Sequence, residues 1–188
     1  AFFGRNSGSR NTTASNNSFF GAFTGAANTT GTDNAFFGYT AGGSVTTGGS
    51  NTYIGTRAGQ SSTTATTNTF VGKDSGFSTT SGGSNTFVGI RSGNDNISGS
   101  NMVFVGRDAG ANNTTGFDNT FVGAFAGVDN LTGTRNTLLG IAADVAAGNL
   151  NHATAIGADS VATESNSVTL GRSADIVYIP GFLRLLQL

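Results

Sequence analysis

The sequence repeats with a period of 17 residues, and this period constrains the fold more than any other feature of the chain. A glycine preceded by a large apolar residue recurs every 17 residues, and a final step of 14 residues ends the series. These glycines are Gly4, Gly21, Gly38, Gly55, Gly72, Gly89, Gly106, Gly123, Gly140, Gly157 and Gly171. Such strict register does not arise from compositional bias, so the chain is a repeat array.

Each position of the repeat has its own chemistry, and we number positions from this glycine, which is position 0. Position −1 is always apolar, and position −2 is aromatic in the first eight repeats. Position −4 is Asn in seven repeats and Met102 in one, and a second glycine occupies position +4 from Gly8 to Gly127. We predict that the apolar positions form the core of the coils or of their assembly: Phe2, Phe3, Phe19, Phe20, Phe36, Phe37, Tyr53, Ile54, Phe70, Val71, Phe87, Val88, Phe104, Val105, Phe121, Val122, Leu138, Leu139, Ile156 and Leu170. We predict a structural ladder of stacked amides from Asn17, Asn34, Asn51, Asn68, Asn85, Asn119 and Asn136.

A repeat of this length accommodates two short strands and two turns. The segment Asn-Thr-Phe-Val-Gly is typical of a strand, because β-branched and aromatic residues favour strands. We predict a second short strand around position +4. Helix is disfavoured, since each frequent glycine costs about 1 kcal/mol in a helix relative to alanine. The sequence therefore predicts an all-β fold, a parallel β-solenoid of about eleven coils and roughly 50 Å in length.

The paired apolar positions predict an oligomer. Neighbouring side chains of a strand point to opposite faces, so one apolar column fills the coil and the other must be buried elsewhere. An exposed stripe of stacked apolar side chains is rare on soluble monomers. Association of several copies around a common axis would bury it, and we therefore expect a homo-oligomer.

The last repeats resemble a known family. Residues 153–162 read Ala-Thr-Ala-Ile-Gly-Ala-Asp-Ser-Val-Ala, and residues 166–174 read Asn-Ser-Val-Thr-Leu-Gly-Arg-Ser-Ala. These segments, with the 14-residue step between Gly157 and Gly171, resemble the head repeat of trimeric autotransporter adhesins, the YadA-like heads. The 17-residue units look like a variant of the same roll, also similar to segments of tail-fibre-like bacterial surface proteins. The resemblance implies a left-handed parallel β-roll, three chains side by side and a place in a surface fibre.

Three segments follow from these patterns. Residues 1–148 form the 17-residue-repeat roll and residues 149–175 the YadA-like repeats. Residues 176–188 leave the repeat, and Pro180-Gly181 is a turn signal that cannot continue a strand ladder. We expect this end to cap the solenoid or to lead into a stalk. Because the chain starts in the middle of a repeat, we interpret it as a piece of a longer protein.

Composition argues against most chemistry. The chain has one His, one Glu and no Cys, so a Ser-His-Asp triad, a thiolate zinc site and paired catalytic carboxylates in a cleft are not expected. We predict no enzyme activity, no cofactor and no metal site. Nine Lys and Arg residues in 188 leave no basic surface for nucleic acid, and no apolar run is long enough to predict a membrane-spanning helix.

The two positions after each glycine vary most between repeats. We therefore expect them to form a corner of the coil where core packing does not restrict the residue type. On that corner Phe23, Tyr39, Arg57, Arg91 and Phe125 are candidates for stacking on carbohydrate or for contact with a protein. The alternative is that they lie between chains and complete the packing there. The adjacent pairs Lys73-Asp74 and Arg107-Asp108 are expected to form exposed charge pairs.

Three functions remain open at this point. The first is a segment of a trimeric bacterial surface fibre, exposed outside the cell, that binds a glycan or protein of a host or prey envelope or acts as a rigid spacer. The second is a shaft or receptor-binding segment of a phage-like tail fibre. The third is a monomeric solenoid that binds ice through stacked threonines, such as Thr29-Thr30 and Thr46-Thr47.

Overall fold

The computed structural model describes residues 1–178, and these residues form one continuous stack of coils without a helix. Eleven strands pair in parallel in a single sheet, and two further strands form a small second sheet. The predicted all-β parallel solenoid of about eleven coils is therefore confirmed. The strands are β1 (Phe2–Phe3), β2 (Ser18–Phe20), β3 (Ala35–Phe37), β4 (Thr52–Ile54), β5 (Thr69–Val71), β6 (Thr86–Val88), β7 (Val103–Val105), β8 (Thr120–Val122), β9 (Thr137–Leu139), β10 (Asp144–Val145), β11 (Thr154–Ile156), β12 (Val161–Ala162) and β13 (Val168–Leu170).

In the 17-residue coils, paired residues in the sheet are 17 positions apart, so the register of the strands follows the period of the sequence. Phe19 pairs with Phe36 in the next coil, and Phe36 pairs with Tyr53, so each column of the repeat becomes a row of side chains along the stack. Ring centroids of Phe36 and Tyr53 lie 4.8 Å apart, which is the spacing of hydrogen-bonded strands. Residues 17 apart in sequence are consequently direct neighbours in space.

Position −2 fills the interior. From Phe19 to Leu138 its side chains have no exposed surface, and their rings stack nearly parallel from coil to coil. In the first coil Phe2 keeps 44% of its surface exposed. Tyr53 is the one variation among the aromatic members, and its hydroxyl lies 3.0 Å from the Ser62 hydroxyl across the coil.

Position −4 is also buried, and its Asn side chains are polar and hydrogen-bonded. The Asn34 amide group donates to the carbonyl of Gly48 at 2.9 Å, and the Asn34 side-chain oxygen accepts from the backbone N–H of Asn51 at 3.0 Å. The same pattern recurs at the other Asn residues of the column, and Asn85 also accepts from the backbone N–H of Met102 at 3.1 Å. Each side chain thereby links its own coil to the next one.

The second strand predicted in every repeat is wrong for the first eight coils, which form only one strand each. Those coils turn at position +4, where Gly25 and its equivalents have φ near 55–68°. A left-handed residue ends an extended segment. Where Asp144 and Val161 replace this glycine, the backbone is extended and forms β10 and β12. Of the predicted C-terminal cap, residues 179–188 lie outside the described residues.

Candidate functional site

An apolar stripe runs along the whole sheet on its outer face. It consists of the position −1 side chains, which alternate with the buried column and therefore point outward. Phe20, Phe37 and Ile54 keep 38%, 40% and 43% of their surface exposed, and Phe20 and Phe37 stack with centroids 4.9 Å apart. One chain alone thus leaves the position −1 members of the predicted core partly buried at Val71, Val88, Val105 and Leu139 and exposed at Phe3, Phe20, Phe37, Ile54, Val122, Ile156 and Leu170.

A second surface, which we call the corner groove, lies beside the stripe. It is formed by positions +2, +5 and +6 of the first eight coils, from Asn6 to Val128. Four shallow cavities follow one another along it among the described residues, with volumes of about 290, 330, 350 and 280 Å³. The same positions of the repeat line all four cavities, so the cavities are sections of one groove along the stack.

The structure places the five predicted contact residues together in this groove. Phe23, Arg57, Arg91 and Phe125 occupy position +2 and line its cavities, and Tyr39 stands at its rim with its ring perpendicular to that of Phe23. The four position +2 residues have left-handed backbone, with φ between 56° and 61°. A residue other than glycine adopts this backbone conformation at a cost of about 1 kcal/mol or more. The conformation turns the chain at the corner of the coil.

The shortest ion pairs in the groove join successive coils. Arg57 Nε lies 2.6 Å from Asp74 Oδ1, and Arg91 Nε lies 2.6 Å from Asp108 Oδ1. The hydrogen bonds to these carboxylates raise the pKa of both guanidinium groups. The predicted pairing of Asp74 with Lys73 is therefore replaced by an inter-coil pair, while Arg107 approaches Asp108 only to 3.9 Å.

Arginine side chains also hold the aromatic rings of the groove. The guanidinium of Arg5 lies 4.7 Å from the Phe23 centroid, and that of Arg107 lies 4.4 Å from the Phe125 centroid. Each arginine comes from the preceding coil and covers one ring face, which fixes the ring at the surface.

Sequence reasoning did not identify the amide and carboxylate members of this groove. Gln60 and Asn94 stand at position +5, and Asp74 and Asp108 share position +2 with the predicted residues. The two aspartates could have been predicted, because they stand at the same repeat position as the predicted contact residues. Phe117, in contrast, lies on another face, with the Arg135 guanidinium 5.7 Å from its ring centroid.

Other parts of the described chain have fewer features of a binding site. A cavity of about 510 Å³ lies in the last coil between Val161 and Arg172, and no aromatic side chain lines it. His152 is exposed in a turn, and residues 1–178 contain no group of three potential metal-ligating side chains. Within the same range, no helix has the length and apolar character needed to cross a membrane.

No protein-family model matches the chain, and no curated protein or solved structure shows significant similarity to it.

Proposed function

We propose that this chain is a segment of a homotrimeric bacterial surface fibre, built like a YadA-like left-handed roll, that contacts another cell's envelope or serves as its rigid spacer. The apolar stripe carries the proposal. It extends over all eleven coils, and Ile90 and Ile141 widen it with more than half of their surfaces exposed.

A second and a third copy of the chain are the occupants that fit the stripe. A partner must match a straight apolar row with one contact every 4.8 Å, and another copy in parallel presents the same row at the same spacing. Closed symmetry leaves no copy with an unpaired stripe, and three chains around one axis agree with the resemblance of the last repeats.

The threonine columns give less support to an ice-binding role. The hydroxyl of Thr46 donates to the carbonyl of Thr63 at 3.1 Å, and Thr29 does the same to Thr46 at 3.0 Å. These hydroxyls form hydrogen bonds between successive coils and are therefore not free to bind ice. A tail-fibre segment would share the trimeric architecture and differ in the domains attached to it.

The solution mass tests the proposal. Light scattering after size exclusion is expected to give three times 18.8 kDa at low micromolar concentration. The double variant Ile54→Asp/Val122→Asp should give a monomer with unchanged far-UV circular dichroism, because burying unpaired charges opposes association.

The matched control places the same charges on another exposed face, at Thr64→Asp/Thr115→Asp, and should remain a trimer. A wild-type monomer, or equal dissociation of both variants, would overturn the proposal.

A further inference from the structure

We propose that the corner groove binds a linear, uncharged β-1,4-linked glycan lying along the stack. This inference rests on the proposed envelope-contacting function and names the ligand class for it. The groove is open and shallow along its length, which suits a chain molecule better than a compact ligand.

The groove has a two-coil period at its centre. Position +2 reads Arg57, Asp74, Arg91 and Asp108 in four successive coils, so the same charge returns after two coils, a distance of about 10 Å. A β-1,4-linked glycan is an extended ribbon in which alternate rings are turned over. Its chemical repeat is two sugars, and the length of that repeat is close to that of two coils. Successive disaccharides would therefore meet the same groups.

The charges of the groove favour an uncharged ligand. Asp74 and Asp108 are buried, and each is neutralised by an arginine from the preceding coil. The Arg91 side chain still exposes 57% of its surface, so N–H groups remain for hydroxyl oxygens. A polyanion would have to displace these carboxylates, and a polycation would have to displace the arginines.

The remaining lining fits sugar hydroxyls and sugar ring faces. Asn94, Asn112 and Gln60 offer amide groups that donate and accept. Phe23 and Phe125 are partly exposed rings held in place by arginine, and Tyr39 is more than half exposed beside Phe23. Apolar surface combined with fixed polar groups is typical of ligand sites. The apolar stripe lacks such polar groups, which separates the glycan surface from the inter-chain surface.

Calorimetric titration of the full chain with cellohexaose and with cellobiose tests this inference. We expect cellohexaose to bind at least about tenfold more tightly, because it spans several coils while the disaccharide spans two. Polygalacturonate of similar length, which repeats carboxylates, should bind more weakly than cellohexaose. Absence of binding by cellohexaose would overturn the inference, as would affinity that does not depend on chain length.

A matched pair of variants locates the site. Arg91→Ala should weaken cellohexaose binding by at least about tenfold, whereas Arg135→Ala should leave it unchanged. Both arginines have left-handed backbone, similar exposure of 57% and 54%, and an aspartate partner, but Arg135 lies outside the groove. Equal effects of both substitutions would overturn the assignment.

Mass measured on the same samples separates this inference from the proposed function. Binding by a monomer would keep the groove assignment and overturn the trimer. A trimer that binds no cellohexaose would do the reverse. If Arg91→Ala dissociates a trimer while Arg135→Ala does not, the groove is a contact between chains, and the glycan assignment is overturned.

Discussion

At the residue scale, the glycine at position 0 allows the coils to stack at the spacing of paired strands. Gly21 has φ of +138°, a conformation that side chains rarely adopt. A Cβ at this position would lie 2.6 Å from the carbonyl oxygen of Gly38 in the next coil. Both the backbone angle and the close approach therefore exclude a side chain, which explains the strict recurrence of this residue.

Gly21→Ala is expected to lower the free energy of unfolding by about 2–4 kcal/mol, because strain and overlap add. Gly43→Ala is the control: its φ is not positive, its nearest contact is 3.2 Å, and Ala26 occupies the same position one coil earlier. It should change stability by less than about 0.5 kcal/mol. Urea denaturation of both variants gives the comparison, and equal effects would contradict this account of position 0.

The asparagine column shows how a polar side chain stabilises the interior of a solenoid. Asn68 donates to the Gly82 carbonyl at 2.8 Å and accepts from the Asn85 N–H at 2.9 Å. Both partners are backbone groups of the following coil, where no water reaches them. An apolar replacement would leave a buried donor and a buried acceptor without partners.

Asn68→Ala is accordingly expected to destabilise the fold by about 2–5 kcal/mol, since each unsatisfied buried group costs about 1–3 kcal/mol. Thr66→Ala changes a nearby exposed residue and should have an effect below about 0.5 kcal/mol. Thermal unfolding followed by circular dichroism distinguishes them. A small effect of Asn68→Ala would mean that the ladder contributes little to stability.

At the element scale, the sequence predicted the main strands but not every contact between coils. Strands at positions −3 to −1 and their parallel pairing followed from residue type and period. The second strand was wrong because the left-handed glycine at position +4 overrides the extended tendency of its neighbours.

Side-chain alternation predicted that positions −2 and −1 point to opposite faces of the strand. It did not predict which of the two faces the interior, because that depends on the direction in which the chain turns to close each coil. Asp74 was assigned to Lys73, its neighbour in sequence, although Arg57 lies one coil away in space. The corner residues were found by their variability, whereas their arrangement into a groove depends on the stacking of coils.

The last 17-residue repeat places a carboxylate in the interior. Asp144 replaces the glycine of position +4, keeps 7% of its surface exposed and accepts hydrogen bonds from the N–H groups of Val145 and Asp129. Burial raises the pKa of Asp144 to about 6 in spite of these bonds. The folded state therefore binds a proton between about pH 4 and pH 6 that the unfolded chain has lost, so stability falls as pH rises through this window.

Asp144→Asn should remove this dependence. We expect the variant to be more stable than the wild type by about 1–2 kcal/mol at pH 7, with allowance for solvent screening, and equal to it near pH 4. Urea denaturation at both pH values measures the difference. Glu164→Gln neutralises an exposed carboxylate and serves as the control. A gain of the same size at both pH values would show that the effect is not one of ionisation.

At the scale of the whole molecule, the solenoid is a one-dimensional array in which each coil contacts only its neighbours. The interior columns maintain the stack, while the stripe and the corner groove occupy separate outward columns. Residues in the groove can therefore vary without altering the core. The same separation means that whole coils can be removed when every column remains in register.

Deletion of residues 69–102, two complete coils, is expected to leave a cooperative fold with a similar denaturation midpoint. The new junction joins Asn68 to Val103, places Arg57 next to Asp108 and removes Met102, so the ion pair and the asparagine ladder continue across it. Deletion of residues 69–94, about one and a half coils, is the control, because it places position +6 directly after position −4 and prevents the coil from closing. Thermal unfolding and limited proteolysis should show an intact core for the first variant alone. Comparable loss of structure in both would contradict a nearest-neighbour array.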